Sequence, residues 1–164
     1  MMDKVRVLFV CLGNICRSPM AEAVFSHKVR EMGLQDKIEA DSAGTGDWHA
    51  GERPHKGTMA ILAKNAVPYD GRARQLLKSD LETFDYIITM DDANLRGVRG
   101  LGKTSAIVSP FLAFAKGIDV REVPDPFYTG NFHEVYELVD NAADGLLNTI
   151  VETHDKLSHV TPSG

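Results

Sequence analysis

Residues 11–18 read Cys-Leu-Gly-Asn-Ile-Cys-Arg-Ser, the types and spacing of a nucleophile set in an anion cradle. The thiolate is the reactive form of cysteine. A helix entrance, a nest of backbone N–H groups and a neighbouring arginine all favour it over the thiol. The same groups bind a tetrahedral oxyanion. Arg17 offers a planar fork that meets two phosphoryl oxygens, which an ammonium cannot do. Gly13 and Asn14 tolerate positive φ, as a loop folded round an anion often requires. Ser18 and Pro19 read as a helix N-cap and the first helical residue. Far along the chain, Asp125 stands between Pro124 and Pro126. It is a carboxyl whose backbone the two prolines restrict.

These residues need elements to hold them. Val5 to Val10 is an almost unbroken apolar run, which predicts a buried parallel strand with Cys11 at its carboxyl end. Met20, Ala23, Val24, His27 and Met32 recur at helical spacing, and Gly33 stops that helix. Lys37 to Asp41 predicts a second strand, and a glycine-bearing loop runs from Ser42 through Trp48 to Pro54. His55 to Asn65 predicts a helix, and Leu76 to Phe84 a short one capped by Ser79. Asp85 to Met90 is a further buried strand. Asp91 and Asp92 then open a short helix through Leu95 and Val98, with Asp91 near the site. Thr104 to Val108 predicts a fourth strand, and Phe111 to Phe114 a helical turn. Residues 123–130 read as a rigid loop, and Phe132 to Val151 as a long amphipathic helix.

Strands separated by helices predict a single α/β domain over residues 1–157, with a tail at 158–164. Its expected architecture is an open four-stranded parallel sheet, doubly wound, with helices on both faces. Such sheets bind ligands at the carboxyl ends of their strands. Cys11, Ser42, Met90-Asp91 and Asp125 are all assigned to that edge.

Composition narrows the function. The 164 residues carry 18 basic and 23 acidic side chains, a net charge of 18 − 23 = −5, which argues against general nucleic-acid binding. No apolar run reaches the length of a membrane span, and the N-terminus lacks a signal-peptide layout. A cytoplasmic protein with no membrane insertion is expected, with leaderless secretion left open. The two cysteines, Cys11 and Cys16, lie apart from any cluster of the six histidines. Neither a metal nor another cofactor is therefore expected.

The run Val-Cys-Leu-Gly-Asn-Ile-Cys-Arg-Ser-Pro-Met-Ala-Glu-Ala, residues 10–23, closely resembles the low-molecular-weight protein tyrosine phosphatase family. The likeness continues in order through residues 41–45, Ala73-Arg74-Gln75, Phe84-Asp85-Tyr86, Met90-Asp91, Asn94-Leu95-Arg96 and Asp125-Pro126-Phe127. It implies hydrolysis of phosphotyrosine in proteins and of other aryl phosphates, with inorganic phosphate as product and competitive ligand. Cys11 would attack phosphorus, and Arg17 with the N–H groups of Leu12, Gly13, Asn14, Ile15 and Cys16 would hold the phosphoryl oxygens. Ser18 would donate to the sulfur. Asp125 would act as general acid, then base. Asn14 would brace the loop through Ser18 and Ser42. Leu12, Trp48 and Phe127 match the family's wall positions, and aromatic walls suit a phenyl ring.

Some positions stay open at this level. The resemblance implies a reversible disulfide between Cys11 and Cys16; simple loop packing is the other reading of Cys16. Tyr128 resembles a position phosphorylated in some members, and an exposed aromatic rim is the plainer reading. Where many members carry a histidine that supports the loop asparagine, this chain has Gly71, so the bracing would pass through water or Arg72. Arginine-phosphate-specific relatives carry a threonine beside the asparagine; Ile15 lacks that hydroxyl and favours tyrosine. An arsenate reductase with an internal thiol relay needs more cysteines than Cys11 and Cys16. A dithiol redox protein wants two residues between its cysteines, and a binding module would have no need of Cys11, Arg17 and Asp125 together.

Overall fold

The computed structural model describes residues 4–154; the expected tail at 158–164 lies outside the described residues. Four parallel strands form one sheet in the order β2-β1-β3-β4: β1 Val5–Cys11, β2 Ile38–Gly44, β3 Tyr86–Thr89 and β4 Ile107–Pro110. The apolar run of β1 is explained by its central place, where both faces are covered. Val5, Val7, Phe9 and Cys11 join the larger core with α1 (Arg17–Glu31) and α6 (Phe132–Thr153). Leu8 and Val10 face the other way, onto Leu81 of α3 (Asp80–Thr83) and Val98 of α4 (Asp92–Arg99). Phe9 anchors the larger core edge-on between Phe25 and Phe111, at centroid distances of 5.5 and 5.2 Å. The architecture is the doubly wound sheet the element order implies.

Several boundaries differ from the sequence expectation. The first helix begins at Arg17, with Cys16 as an N-cap that makes no side-chain cap bond, so Ser18 is not the cap and Pro19 is the third helical residue. The reason is chemical: the Ser18 hydroxyl is engaged with the Cys11 sulfur at 3.0 Å. Proline is tolerated at that position because the first helical N–H groups lack intrahelical partners in any case. The second strand runs three residues past Asp41 to Gly44, because its end pairs with Cys11. The fourth strand is shifted to Ile107–Pro110. Within the segment read as a loop, Pro126–Thr129 forms a single helical turn, α5, capped by Asp125. Helix α2 spans Lys56–Lys64, capped by the His55 ring.

Candidate active site

The loop after β1 is shaped by where its carbonyls go. Those of Cys11, Leu12 and Ile15 accept from the N–H groups of Thr45, Gly46 and His55 at 2.9, 2.9 and 2.7 Å. The Cys16 carbonyl accepts from the Thr58 hydroxyl at 3.2 Å. A loop whose carbonyls are drawn outward turns its N–H groups inward, and the Asn14 N–H donates to Cys11 Sγ at 3.3 Å. Asn14 takes the left-handed conformation, φ 57°, that makes this turn. Gly44 permits the close approach of β2, since a Cβ there would stand 2.8 Å from the Leu12 carbonyl oxygen.

The Asn14 side chain holds the loop from inside. Its amide nitrogen donates to Ser18 Oγ at 2.8 Å and to Ser42 Oγ at 3.0 Å. Its amide oxygen accepts the Arg74 backbone N–H at 2.9 Å. Arg72 takes no part in this brace; its guanidinium donates to the Gly51 carbonyl at 3.1 Å instead. Of the two expected routes, water and Arg72, the second is not used, and a backbone N–H from Arg74 meets the Asn14 amide oxygen.

Arg17 is 3% exposed and held by three acceptors. Nη1 donates to Asp91 Oδ2 at 2.8 Å and to the Val123 carbonyl at 3.0 Å, and Nη2 meets Asp125 Oδ2 at 3.4 Å. Burial alone would lower its pKa, but Cys11, Asp91 and Asp125 around it hold it above the ordinary arginine value. Asp91 divides its oxygens: Oδ1 caps α4 through the Asn94 N–H at 2.8 Å, and Oδ2 fixes the guanidinium. Asp125 likewise accepts the Phe127 N–H on Oδ1 at 3.1 Å while Oδ2 faces Arg17. Among the described residues, Arg17 Nε is one of two fully buried side-chain polar atoms with no hydrogen-bond partner. Such an atom is costly unless a ligand satisfies it.

A cavity of about 220 Å³ joins these groups to the surface. Cys11, Cys16 and Arg17 line it at its buried end, and Leu12, Gly13 and Ile15 belong to the same loop. Trp48, Phe127 and Tyr128 line it too, at exposures of 68%, 51% and 75%, so aromatic faces border the way in. Trp48 lies across Gly46, where any Cβ would collide with its ring. Phe127 is set edge-on between His55 and Tyr128. Asn14 and Ser42 lie behind the loop, outside the cavity lining.

Cys16 is a different kind of thiol. Burial, then the nearness of Cys11 and Asp125, pushes it up to about 12. Both cysteines are free thiols in this structure. Sequence reasoning overlooked His49, which lines the cavity and approaches within 3.0 Å of where a Gly13 Cβ would be. It also overlooked Glu22, which accepts from Ser42 Oγ at 2.6 Å. His49 carries no local signal; Glu22 stands within the run of residues 10–23, but its contact with Ser42 arises only from the packing of α1 on β2. Among the described residues no group of three His, Cys, Asp or Glu side chains is placed to hold a metal ion.

A sulfur nucleophile in an oxyanion cradle, faced by a carboxyl and by aromatic walls, is the arrangement of cysteine-dependent phosphatases. The comparisons specify the family. The model of the family described as "Low molecular weight phosphotyrosine protein phosphatase" matches residues 6–156. The low molecular weight protein-tyrosine-phosphatase YfkJ of Bacillus subtilis is 48% identical over 149 residues, 89% of this chain and 96% of that protein. PtpA of Staphylococcus epidermidis, of the same description, is 44% identical over 149 residues, 90% of this chain and 95% of that one. The crystal structure of YfkJ superposes with a TM-score of 0.89 at 46% identity, covering 92% of this chain and 97% of YfkJ. The chain belongs to the low molecular weight phosphotyrosine protein phosphatase family.

Proposed function

We propose that the chain hydrolyses phosphotyrosine in proteins, and other aryl phosphates, through a cysteinyl-phosphate intermediate. Family membership makes it a protein tyrosine phosphatase; the residue roles are the proposal. Cys11 Sγ attacks phosphorus in line with the departing phenolate oxygen, and Asp125 gives that oxygen its proton. Arg17 and the loop N–H groups hold the equatorial oxygens as charge shifts among them. Ser18 donates to the sulfur, favouring the thiolate before attack and as leaving group. Asp125, now a carboxylate, takes a proton from water as the water oxygen attacks the phosphocysteine; the S–P bond breaks and phosphate departs. Leu12, Ile15, Trp48 and Phe127 accept the aromatic ring. The apolar Ile15 side chain supports tyrosine over phosphoarginine as the phosphorylated residue.

One observation carries this reading. The Cys11 sulfur sits 3.0 Å from the Ser18 hydroxyl in a loop closed by an arginine whose buried Nε–H has no partner within the described protein. A bound phosphoryl oxygen would satisfy that donor. Its place of action is proposed to be the cytoplasm, on phosphoproteins; among the described residues no helix is long and apolar enough to cross a membrane.

The test is turnover of para-nitrophenyl phosphate in the presence of chelator. Cys11→Ser is expected to abolish turnover. Asp125→Ala is expected to lower kcat by about 10²-fold or more, the usual worth of a positioned acid. Full activity in Cys11→Ser would refute the mechanism, and wild-type kcat in Asp125→Ala would remove Asp125 as the acid.

A further inference from the structure

The brace behind Cys11 does not end at Ser42. Ser42 Oγ donates to Glu22 Oε1 at 2.6 Å, and Tyr69 Oη donates to the same oxygen at 2.7 Å. Each donor in this chain fixes the direction of the next bond. With its proton on Glu22, the Ser42 oxygen is free to accept from the Asn14 amide. Asn14 is held in one orientation by the Arg74 N–H and passes its other amide proton to Ser18 Oγ. An oxygen that already accepts turns its own proton outward, and the Ser18 hydroxyl then points at Cys11 Sγ.

This order requires Glu22 to act as an acceptor only. A protonated Glu22 would itself donate, compete with the Ser42 hydroxyl and allow the sequence to reverse. Glu22 lies partly buried on α1 and is faced by Tyr69, by Asp41 and Ser42 of β2, and by Arg74; Arg30 and Asp70 line the cavity beside it. Burial pushes its carboxyl up, Asp41 adds to that, and the bonds from Ser42 and Tyr69 with the charge of Arg74 oppose it. Tyr69 is a dependable donor, because burial and the Glu22 charge raise its phenol far above the ordinary value.

The phenol can reach Glu22 because residue 71 is glycine. A Cβ at Gly71 would stand 2.2 Å from Tyr69 Oη and 2.4 Å from Cζ, so any side chain there displaces the hydroxyl. We propose that Tyr69 is a positioning residue for the phosphatase reaction: its hydroxyl, seated over Gly71, keeps Glu22 an acceptor and so orients the Ser42–Asn14–Ser18 relay toward the Cys11 thiolate. Nothing in this role touches substrate. It rests on the phosphocysteine reading above.

The experiment compares kcat/KM for para-nitrophenyl phosphate against pH in wild type, Tyr69→Phe, Gly71→Ala and Glu22→Gln. The wild-type dependence on Cys11 is established first with Cys11→Ser; if turnover survives there, the phosphocysteine reading fails, whatever Tyr69 does. Tyr69→Phe is expected to move the acid limb to higher pH by about 0.7 unit, a loss of about fivefold on that limb, as befits one hydrogen bond. At the plateau the rates converge. The pH midpoint of Cys11 alkylation by iodoacetate moves the same way. Gly71→Ala tests the contact without removing the phenol and shifts the limb in the same direction. Neither change adds to the other, and Tyr69→Phe adds nothing in a Glu22→Gln background. A limb unmoved in both Tyr69→Phe and Gly71→Ala, or a loss equal at every pH, overturns the proposal.

Discussion

Cys11 and Cys16 share a loop and have opposite chemistry. Cys11 is engaged by a hydroxyl and a backbone N–H that suit an anion. Cys16 sits at the N-cap position of α1 without a side-chain cap bond, and burial pushes its thiol up to about 12. Iodoacetamide at neutral pH should therefore modify Cys11 alone, and inorganic phosphate should slow it. Peptide mass mapping checks this; label on Cys16 with Cys11 untouched would contradict the assignment. At this scale residue types were legible in the sequence. Cys11, Arg17 and Ser18 declare their chemistry by kind and spacing, and an aspartate between two prolines is a fixed carboxyl wherever it lands. The partners of those residues were not legible. Glu22 meets Ser42, Tyr69 meets Glu22, and the Arg74 N–H meets Asn14, each from a separate segment, and no local pattern marks such meetings. Ser18 shows a conflict between levels: its type and its place before proline signal a cap, but its hydroxyl is bound to sulfur.

At the scale of elements, the strands and long helices followed from apolar runs and 3.6-residue periodicity, because burial on a sheet dictates both. Of the short pieces, α3, α4 opened by Asp91 and the turn at Phe111–Phe114 were legible as well; α5 and the limits of β4 were not. The α5 turn is a single turn capped by Asp125, and the fourth strand moved because pairing with β3 decides its limits. Helix α6 crosses the turn at Phe111–Phe114 through Gly145, where a Cβ would lie 1.8 Å from the Phe114 carbonyl oxygen. Backbone cannot yield as a flexible side chain can. Gly145→Ala is expected to destabilise the fold by about 1–3 kcal/mol through overpacking. Thermal unfolding followed by circular dichroism measures this, and an unchanged Tm would mean that the two elements separate without cost.

For the whole molecule, the sheet order places the ends of β1, β2 and β3 on one edge, where the loop, Ser42 and Asp91 converge. Stability has a matching alkaline signature. Burial raises Cys16, Tyr69, Tyr86 and Tyr136 above their ordinary values. The unfolded chain loses these protons at lower pH than the folded one, so the folded state binds more protons above about pH 9 and loses stability as pH rises. Tm should hold level just below that pH and fall beyond it, and Cys16→Ala should make the fall less steep between pH 9 and 12. A flat profile in wild type would contradict this.

The central claim is that Cys11 carries the phosphoryl group. Its most direct test is to mix enzyme with an aryl phosphate, quench in acid within milliseconds, and map the phosphoryl group by peptide mass spectrometry. Asp125→Ala, which slows water attack, serves as the trapping variant. The account predicts one phosphoryl group on the peptide bearing Cys11, and none in Cys11→Ser. Phosphoryl on any other residue, or steady turnover with no phosphoryl on Cys11, would contradict it.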